Sequence, residues 1–178
     1  MSKRNNYVFI FLHIIAWIIF VGLCIEAGAL LVNFVFSLVK PEVVANLYQK
    51  LDLSEMYHRS REAYFGMYSF ILVIAVLKAY LFYIVIMLLL KLDLSKPFSY
   101  YVSDKIFTMS YYTFSIGLIS YIARQSAQYL QKKGFEIDVL NQFWADSQAF
   151  ILMAAVIYVI AAIFSRGVEI QNENDLTV

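Results

Sequence analysis

Three charged residues stand inside long apolar runs, where a charge is costly. They are Glu26, Lys78 and Arg124. A charged side chain at the centre of a bilayer costs at least ~2.5 kcal/mol, so such residues usually face the interior of a helix bundle and pair with one another. Asn33 and Gln128 fall on the same helix faces as Glu26 and Arg124, one or two turns away. These five residues predict an intramembrane polar network.

Two interpretations of this network are open. Its members could form a path for protons or ions, or they could fix the register of neighbouring helices through buried polar contacts. A proton relay needs a continuous file of acidic groups, and Glu26 is the one acid that the network contains. The structural interpretation is therefore favoured.

One local pattern has the spacing of metal ligands. Glu55 and His58 stand three residues apart and are followed by Glu62, which half-resembles a carboxylate-histidine metal unit on a helix. A real site would need further ligands, and the second histidine, His13, lies at the opposite end of the first apolar run. A solvated helix face of mixed charge explains the pattern, so no metal site is predicted.

The sequence contains no recognisable catalytic motif. Zinc-protease spacing, a serine-nucleophile elbow, a phosphate-cradling glycine loop and a dinucleotide fingerprint are all absent. The single cysteine, Cys24, lies in an apolar run and is expected to be a small buried residue. The chain is predicted not to be an enzyme and to bind no cofactor.

Composition places the chain in a membrane. Of its 178 residues, 62% are hydrophobic and 15% are charged, which is more apolar than an ordinary soluble domain. Fourteen basic and thirteen acidic residues nearly cancel, so no basic field exists that could hold nucleic acid directly. The length allows one compact bundle and no second soluble domain. We expect a single membrane domain, residues 1–178, whose partner is the lipid bilayer.

Four apolar runs are long enough to cross a hydrocarbon core, which needs ~20 residues of helix. Each exceeds the length of a strand, and helices satisfy their own backbone hydrogen bonds in lipid. The predicted fold is an all-α membrane protein, an antiparallel bundle of four transmembrane helices with short interfacial helices in the two larger loops. The predicted transmembrane helices are residues 8–38, 65–90, 106–130 and 143–165, followed by a cytoplasmic tail at 166–178.

The tail and the polar hairpin before the third run are candidate docking segments. An Arg-Gly pair is typical of a helix end, and apolar residues then alternate with acidic ones. The tail could be a solvated, frayed terminus, or it could pack on the bundle or on a partner. The residues of both segments that could dock a partner are Lys96, Pro97, Phe98, Ser99, Arg166, Gly167, Glu173, Asn174, Asp175 and Leu176.

These two segments also carry a family resemblance. The closing segment 166–178, from the Arg-Gly pair to Asp-Leu-Thr-Val, resembles the closing signature of a bacterial membrane-protein family, domain-of-unknown-function family 2975. The segment 96–106, with Lys-Pro-Phe-Ser ahead of Asp-Lys-Ile, resembles its second marker. Members of this family are often encoded beside a short repressor-type helix-turn-helix protein. The resemblance therefore implies a membrane protein that senses a signal and restrains such a regulator.

Two functions are carried forward. The leading hypothesis is a small membrane-bound regulatory or sensing partner of a small helix-turn-helix transcription regulator. The alternative is a subunit of a small transporter or channel that uses the intramembrane charges. Four helices are few for a monomeric pore, so this alternative requires a homo-oligomer.

The orientation is not decided by charge alone, because Lys and Arg residues are balanced between the two sides. Lys3 and Arg4 beside the first helix, the tight hairpin between Lys91 and Lys105, and the family resemblance favour one topology. We expect a multi-pass protein of the bacterial inner membrane with both termini in the cytoplasm.

Overall fold

Long α-helices dominate the fold. A computed structural model of the chain describes residues 3–48, 51–93 and 97–175. These ranges contain no strand, and two 3-10 helices, Pro41–Ala45 and Asp138–Phe143, lie in the larger loops. Four helical segments are long and apolar enough to cross a membrane, which confirms the predicted all-α four-helix fold. In chain order the α-helices are α1 (Lys3–Val39), α2 (Ser54–Arg59), α3 (Arg61–Lys91), α4 (Tyr100–Lys132) and α5 (Ser147–Asp175).

The four long helices alternate in direction, and each packs on the next one along the chain. The main contacts join α1 to α3, α3 to α4, and α4 to α5. Between α1 and α3, the Tyr68 hydroxyl donates a hydrogen bond to the Leu30 carbonyl at 3.1 Å. Between α3 and α4, the centres of the Tyr80 and Tyr112 rings lie 4.7 Å apart. We call the end at residues 91–100 the hairpin end, and the end at residues 40–60 and 133–146 the loop end.

α1 presents most of its surface outward. Only 6% of its most apolar stretch is buried, because α3 is its one extensive helix neighbour. The buried residues of α1 are Ala16, Ala27, Leu30 and Ser37, which mark the side that packs on α3. Cys24 was predicted to be buried and is instead exposed, since it lies on the outward side of this helix.

The loop end holds the larger hydrophobic core of the described chain. We call this region the head, meaning the described parts of residues 27–75 and 123–146. It combines the ends of α1, α3 and α4 with both 3-10 helices and α2. The two larger loops therefore fold against each other and against the helix ends. The large side chains in this core with almost no exposed surface include Leu30, Val44, Tyr64, Tyr68, Ile71, Leu140 and Trp144.

Arg59 joins the two larger loops within the head. Its guanidinium donates hydrogen bonds of 2.6 Å to the carbonyls of Gly134 and Lys133, and it lies 4.3 Å from the centre of the Phe135 ring. Gly134 has a φ of 83°, a conformation that favours glycine and follows the end of α4. Gly134 therefore follows directly on the end of α4 and lets the chain turn there.

The first larger loop is shaped by two serines and an aspartate. The hydroxyl oxygen of Ser60 accepts a hydrogen bond from the Ala63 N–H at 3.2 Å and caps α3. Ser54 is the first residue of α2. Its hydroxyl and its N–H donate to the Asp52 carboxylate at 2.6 and 2.9 Å, and these bonds lower the pKa of the Asp52 carboxyl below its usual value.

α5 begins beside the middle of α4. A methyl group on Gly117 would lie 2.9 Å from the Ile151 nitrogen and 3.1 Å from the Ser147 carbonyl oxygen, so the two backbones touch there. Gly117 precedes the end of α4 at Lys132 by fifteen residues, which is about 22 Å of helix. The last turns of α4 are therefore covered by the second 3-10 helix and its flanks rather than by α5.

The structure moves both ends of the predicted fourth helix. The predicted start at Phe143 lies inside the second 3-10 helix, and the adjacent Trp144 is 2% exposed within the head core. Phe143 and Trp144 pack in the head core, and they are not part of the spanning helix α5, which begins at Ser147. At the other end, α5 continues beyond residue 165 to Asp175 and buries Val168, which is 2% exposed. The segment predicted as a tail is thus helical through Asp175.

Candidate functional site

The predicted intramembrane polar residues do not converge on one site. Asn33 lies next to the Tyr68 hydroxyl between α1 and α3. Lys78 places its Nζ 5.8 Å from the centre of the Phe150 ring. In the described part of the chain, Glu26 takes part in no ion pair. Since α3 separates α1 from α4, these residues form several contacts rather than one network.

Arg124 and Gln128 lie in the head. Arg124 is seven residues beyond Gly117 toward the loop end, about 10 Å past the first turn of α5. Its neighbours are therefore the second 3-10 helix and the residues that follow it. Together these residues line a cavity of about 310 Å³, formed by Arg124, Gln128, Gln131, Ile137, Asn141, Trp144 and Ala145.

The sequence could not identify this cavity, because its polar residues carry no motif. Asn141 and Trp144 come from a segment that was predicted to begin a spanning helix or to lie at the membrane surface. They approach Arg124 only because the second 3-10 helix folds back along α4. The alternation of polar and apolar residues in α4 predicts an inward-facing position for Arg124 and Gln128, but it does not predict the other residues of the cavity.

The two predicted docking segments contact each other at the hairpin end. The Phe98 ring lies against Gly167, where a methyl group would be 2.5 Å from the Phe98 Cδ1 atom. Its centre is also 5.3 Å from the centre of the Phe164 ring. Nearby, the Asn172 side-chain amide donates a hydrogen bond to the Tyr100 hydroxyl at 3.1 Å. The hairpin therefore packs on the last turns of α5.

Other predicted docking residues have identifiable positions. The Ser99 hydroxyl oxygen accepts a hydrogen bond from the Val102 N–H at 3.3 Å and caps α4, with Pro97 two residues before it. Arg166 forms an exposed ion pair with Glu169, and Glu173 lies on the exposed side of α5. Asn174 and Asp175 belong to α5, whereas Lys96 and Leu176 lie outside the described residues.

A pair of lysines shares one aromatic ring at the hairpin end. The Nζ atoms of Lys91 and Lys105 lie 4.6 and 5.6 Å from the centre of the Tyr101 ring. The Tyr101 hydroxyl donates a long hydrogen bond of 3.4 Å to the Met87 carbonyl. Tyr101 was not singled out from the sequence, because nothing in its spacing distinguishes it from the many other aromatic residues.

Glu55, His58 and Glu62 do not assemble a group of metal ligands. Across residues 3–48, 51–93 and 97–175, no three His, Cys, Asp or Glu side chains are grouped so that they could hold a metal ion. The His58 ring instead lies 6.0 Å from the Tyr57 ring in an edge-on arrangement. Glu55, His58 and Glu62 are all exposed.

Comparison with known proteins identifies one family. The profile of a family described as "Protein of unknown function (DUF2975)" matches residues 48–178. This range contains both the hairpin and the closing segment, and the resemblance predicted from them is confirmed. No match was found among curated proteins or among solved structures.

Proposed function

This chain belongs to the DUF2975 family of proteins of unknown function, and we propose that it is a membrane-bound regulatory or sensing partner of a small helix-turn-helix transcription regulator. The contact between the hairpin and the end of α5 carries the proposal. It joins the two segments on which the family resemblance rests, and it holds them as one surface through Phe98 and Gly167.

We define the docking surface as the exposed residues around this contact. Tyr100 is 69% exposed and Ile170 is 47% exposed. Tyr100 is bonded to Asn172, and Ile170 follows Glu169 of the exposed Arg166–Glu169 ion pair. Aromatic side chains and arginine are enriched in protein interfaces. The residues of the docking surface are Phe98, Tyr100, Arg166, Glu169, Ile170 and Asn172.

The proposal requires this surface to face the cytoplasm, where a transcription regulator is found. Four apolar helices support a multi-pass membrane protein. The inner-membrane location and the cytoplasmic termini rest on the Lys3-Arg4 pair, on the hairpin lysines and on the family resemblance. A cytoplasmic hairpin end would place the head on the other side of the membrane.

A capture experiment with the purified protein tests the docking surface. The bait is the detergent-solubilised chain, and the probe is a purified small helix-turn-helix regulator of the kind encoded beside members of the family. Ile170→Ala should weaken capture about tenfold, the effect expected when an apolar interface residue is truncated. Ile163→Ala is the matched control, because Ile163 lies two turns earlier on the same helix, is 62% exposed and falls in the apolar stretch.

Equal capture by both variants and by the unaltered chain would exclude this surface. Failure of the unaltered chain to capture the regulator would contradict the proposed function as a whole.

The transporter or channel alternative has less support. It would use Glu26, Lys78 and Arg124, and these residues lie on three different helices, α1, α3 and α4. It also requires a homo-oligomer to enclose a path. Flux across reconstituted vesicles that is lost in Glu26→Gln would favour this alternative over the regulatory role.

A further inference from the structure

The cavity in the head is lined by hydrogen-bond donors. Arg124 contributes a guanidinium, and Gln128, Gln131 and Asn141 contribute side-chain amides. None of the lining residues carries a carboxylate. A cavity with one permanent positive charge and no negative charge favours an anionic occupant over a cationic one.

Arg124 has no anionic partner in the described part of the chain. It forms no ion pair among residues 3–48, 51–93 and 97–175, and it is only partly exposed. Trp144 is 2% exposed, and its Nε1 is covered by protein, so this residue borders the cavity with its ring and not with its N–H group. An anionic group in the cavity would therefore pair with Arg124.

We propose that this cavity binds a small oxyanion, a phosphate or carboxylate group, carried by a soluble molecule or by a lipid headgroup. The planar guanidinium of Arg124 presents paired N–H groups that match two oxygens of such an anion. The side-chain amides of Gln128, Gln131 and Asn141 supply further donors around it. A volume of about 310 Å³ is at the lower end of the range for small-molecule sites.

The cavity is accessible from the surface of the head. Gln128, Gln131 and Asn141 are exposed, whereas Trp144 is buried at the inner side. An anion that enters past the amides therefore meets Arg124, with the Trp144 ring beside it. The site lies at the opposite end of α4 from the docking surface, so anion binding can be measured without any regulator.

Tryptophan fluorescence reports directly on this site. The chain has two tryptophans, Trp17 and Trp144, and Trp17 lies on the exposed surface of α1. Trp17→Phe leaves Trp144 as the single emitter beside the cavity. Inorganic phosphate and succinate are titrated at constant ionic strength, and the protein is separately placed in nanodiscs of phosphatidylglycerol or phosphatidylcholine. A saturable change in Trp144 emission with either free anion assigns a soluble ligand, and a change confined to phosphatidylglycerol assigns a lipid headgroup.

Arg124→Gln in this background should weaken binding at least ~10-fold, the effect of losing charge-assisted hydrogen bonds. Arg166→Gln is the matched control, because it removes an exposed arginine at the other end of the molecule. Asn141→Ala should also weaken binding, and it changes an exposed residue that the head core does not require. Thermal unfolding of each variant verifies that the head remains folded.

The proposal is overturned if no anion up to ~10 mM and no anionic lipid changes Trp144 emission, since even millimolar affinity would be detected there. It is also overturned if folded Arg124→Gln and Asn141→Ala bind as well as the Arg166→Gln control. Neither result depends on capture of a regulator, so the proposed function stands or fails separately.

Discussion

Phe98 and Gly167 are the residue pair that decides the conformation of the closing segment. An Arg-Gly pair after an apolar run usually ends a helix. Here the glycine leaves room for the Phe98 ring on the side of α5, and a methyl group in its place would come within 2.5 Å of that ring. Gly167 therefore allows the hairpin to pack closely on α5, and it does not reverse the direction of the backbone.

Replacement of Gly167 should be costly because of this ring. Gly167→Ala should lower the free energy of unfolding by about 1–3 kcal/mol relative to Gly66→Ala, because it forces Phe98 out of its position. Gly66 is the matched control, since no atom of the described residues lies within 4 Å of a methyl group added there. Denaturant unfolding in detergent measures the difference.

A double-mutant cycle identifies the cause of that loss. In a Phe98→Ala background, Gly167→Ala should behave like Gly66→Ala, because the clashing ring is gone. Both alanines should then gain up to ~1 kcal/mol from their better helix propensity. If Gly167→Ala lowers the free energy of unfolding equally with and without the Phe98 ring, the contact between Phe98 and Gly167 is not the cause of the loss.

At the scale of elements, Arg59 connects α2 to the end of α4. Arg59→Ala should lower the free energy of unfolding by about 1–2 kcal/mol, because two charge-assisted hydrogen bonds to backbone carbonyls are lost at a partly solvated site. Arg61→Ala should change it by less than ~0.5 kcal/mol, the usual effect of a surface substitution. Arg61 is a fair control because its one ring contact, with Tyr57, is 5.4 Å long. If Arg59→Ala and Arg61→Ala lower the free energy of unfolding equally in chemical denaturation, Arg59 does not stabilise the link between α2 and α4.

Hydropathy predicted the long helices because each must be apolar to cross a membrane, and α1 and α3 were placed nearly correctly. The ends of α5 could not be predicted in the same way. Phe143 and Trp144 are as apolar as a spanning helix, and only the fold shows that Trp144 fills the head. Likewise, no hydropathy pattern shows that Phe98 lies on Gly167.

The positions of Glu26 and Arg124 show the same limit. Their residue types and depths predicted a shared network, and the prediction assumed that α1 and α4 are neighbours. The order of contacts places α3 between them. Periodicity identifies which side of a helix is polar, but it does not determine which helix that side meets.

At the scale of the whole molecule, α4 connects two distinct surfaces. Its first turns hold the hairpin against α5 through Tyr100 and Asn172. Its last turns carry Arg124 and Gln128 in the wall of the head cavity. An anion bound at one end and a protein bound at the other would contact the same helix. This arrangement suits a membrane protein that links a chemical signal to a regulator.

We expect the late start of α5 to make the stability of the protein depend on bilayer thickness. The uninterrupted apolar stretch of α5, Ala149 to Phe164, is only about 24 Å long, whereas a typical hydrocarbon core is about 30 Å thick. The chain should therefore unfold at a higher temperature in dimyristoyl phosphatidylcholine than in dieicosenoyl phosphatidylcholine, where the ends of α5 would be drawn into lipid. Equal melting temperatures in the two lipids would contradict this. The contact at Gly117, by setting where α5 begins, thus sets which membranes suit the protein.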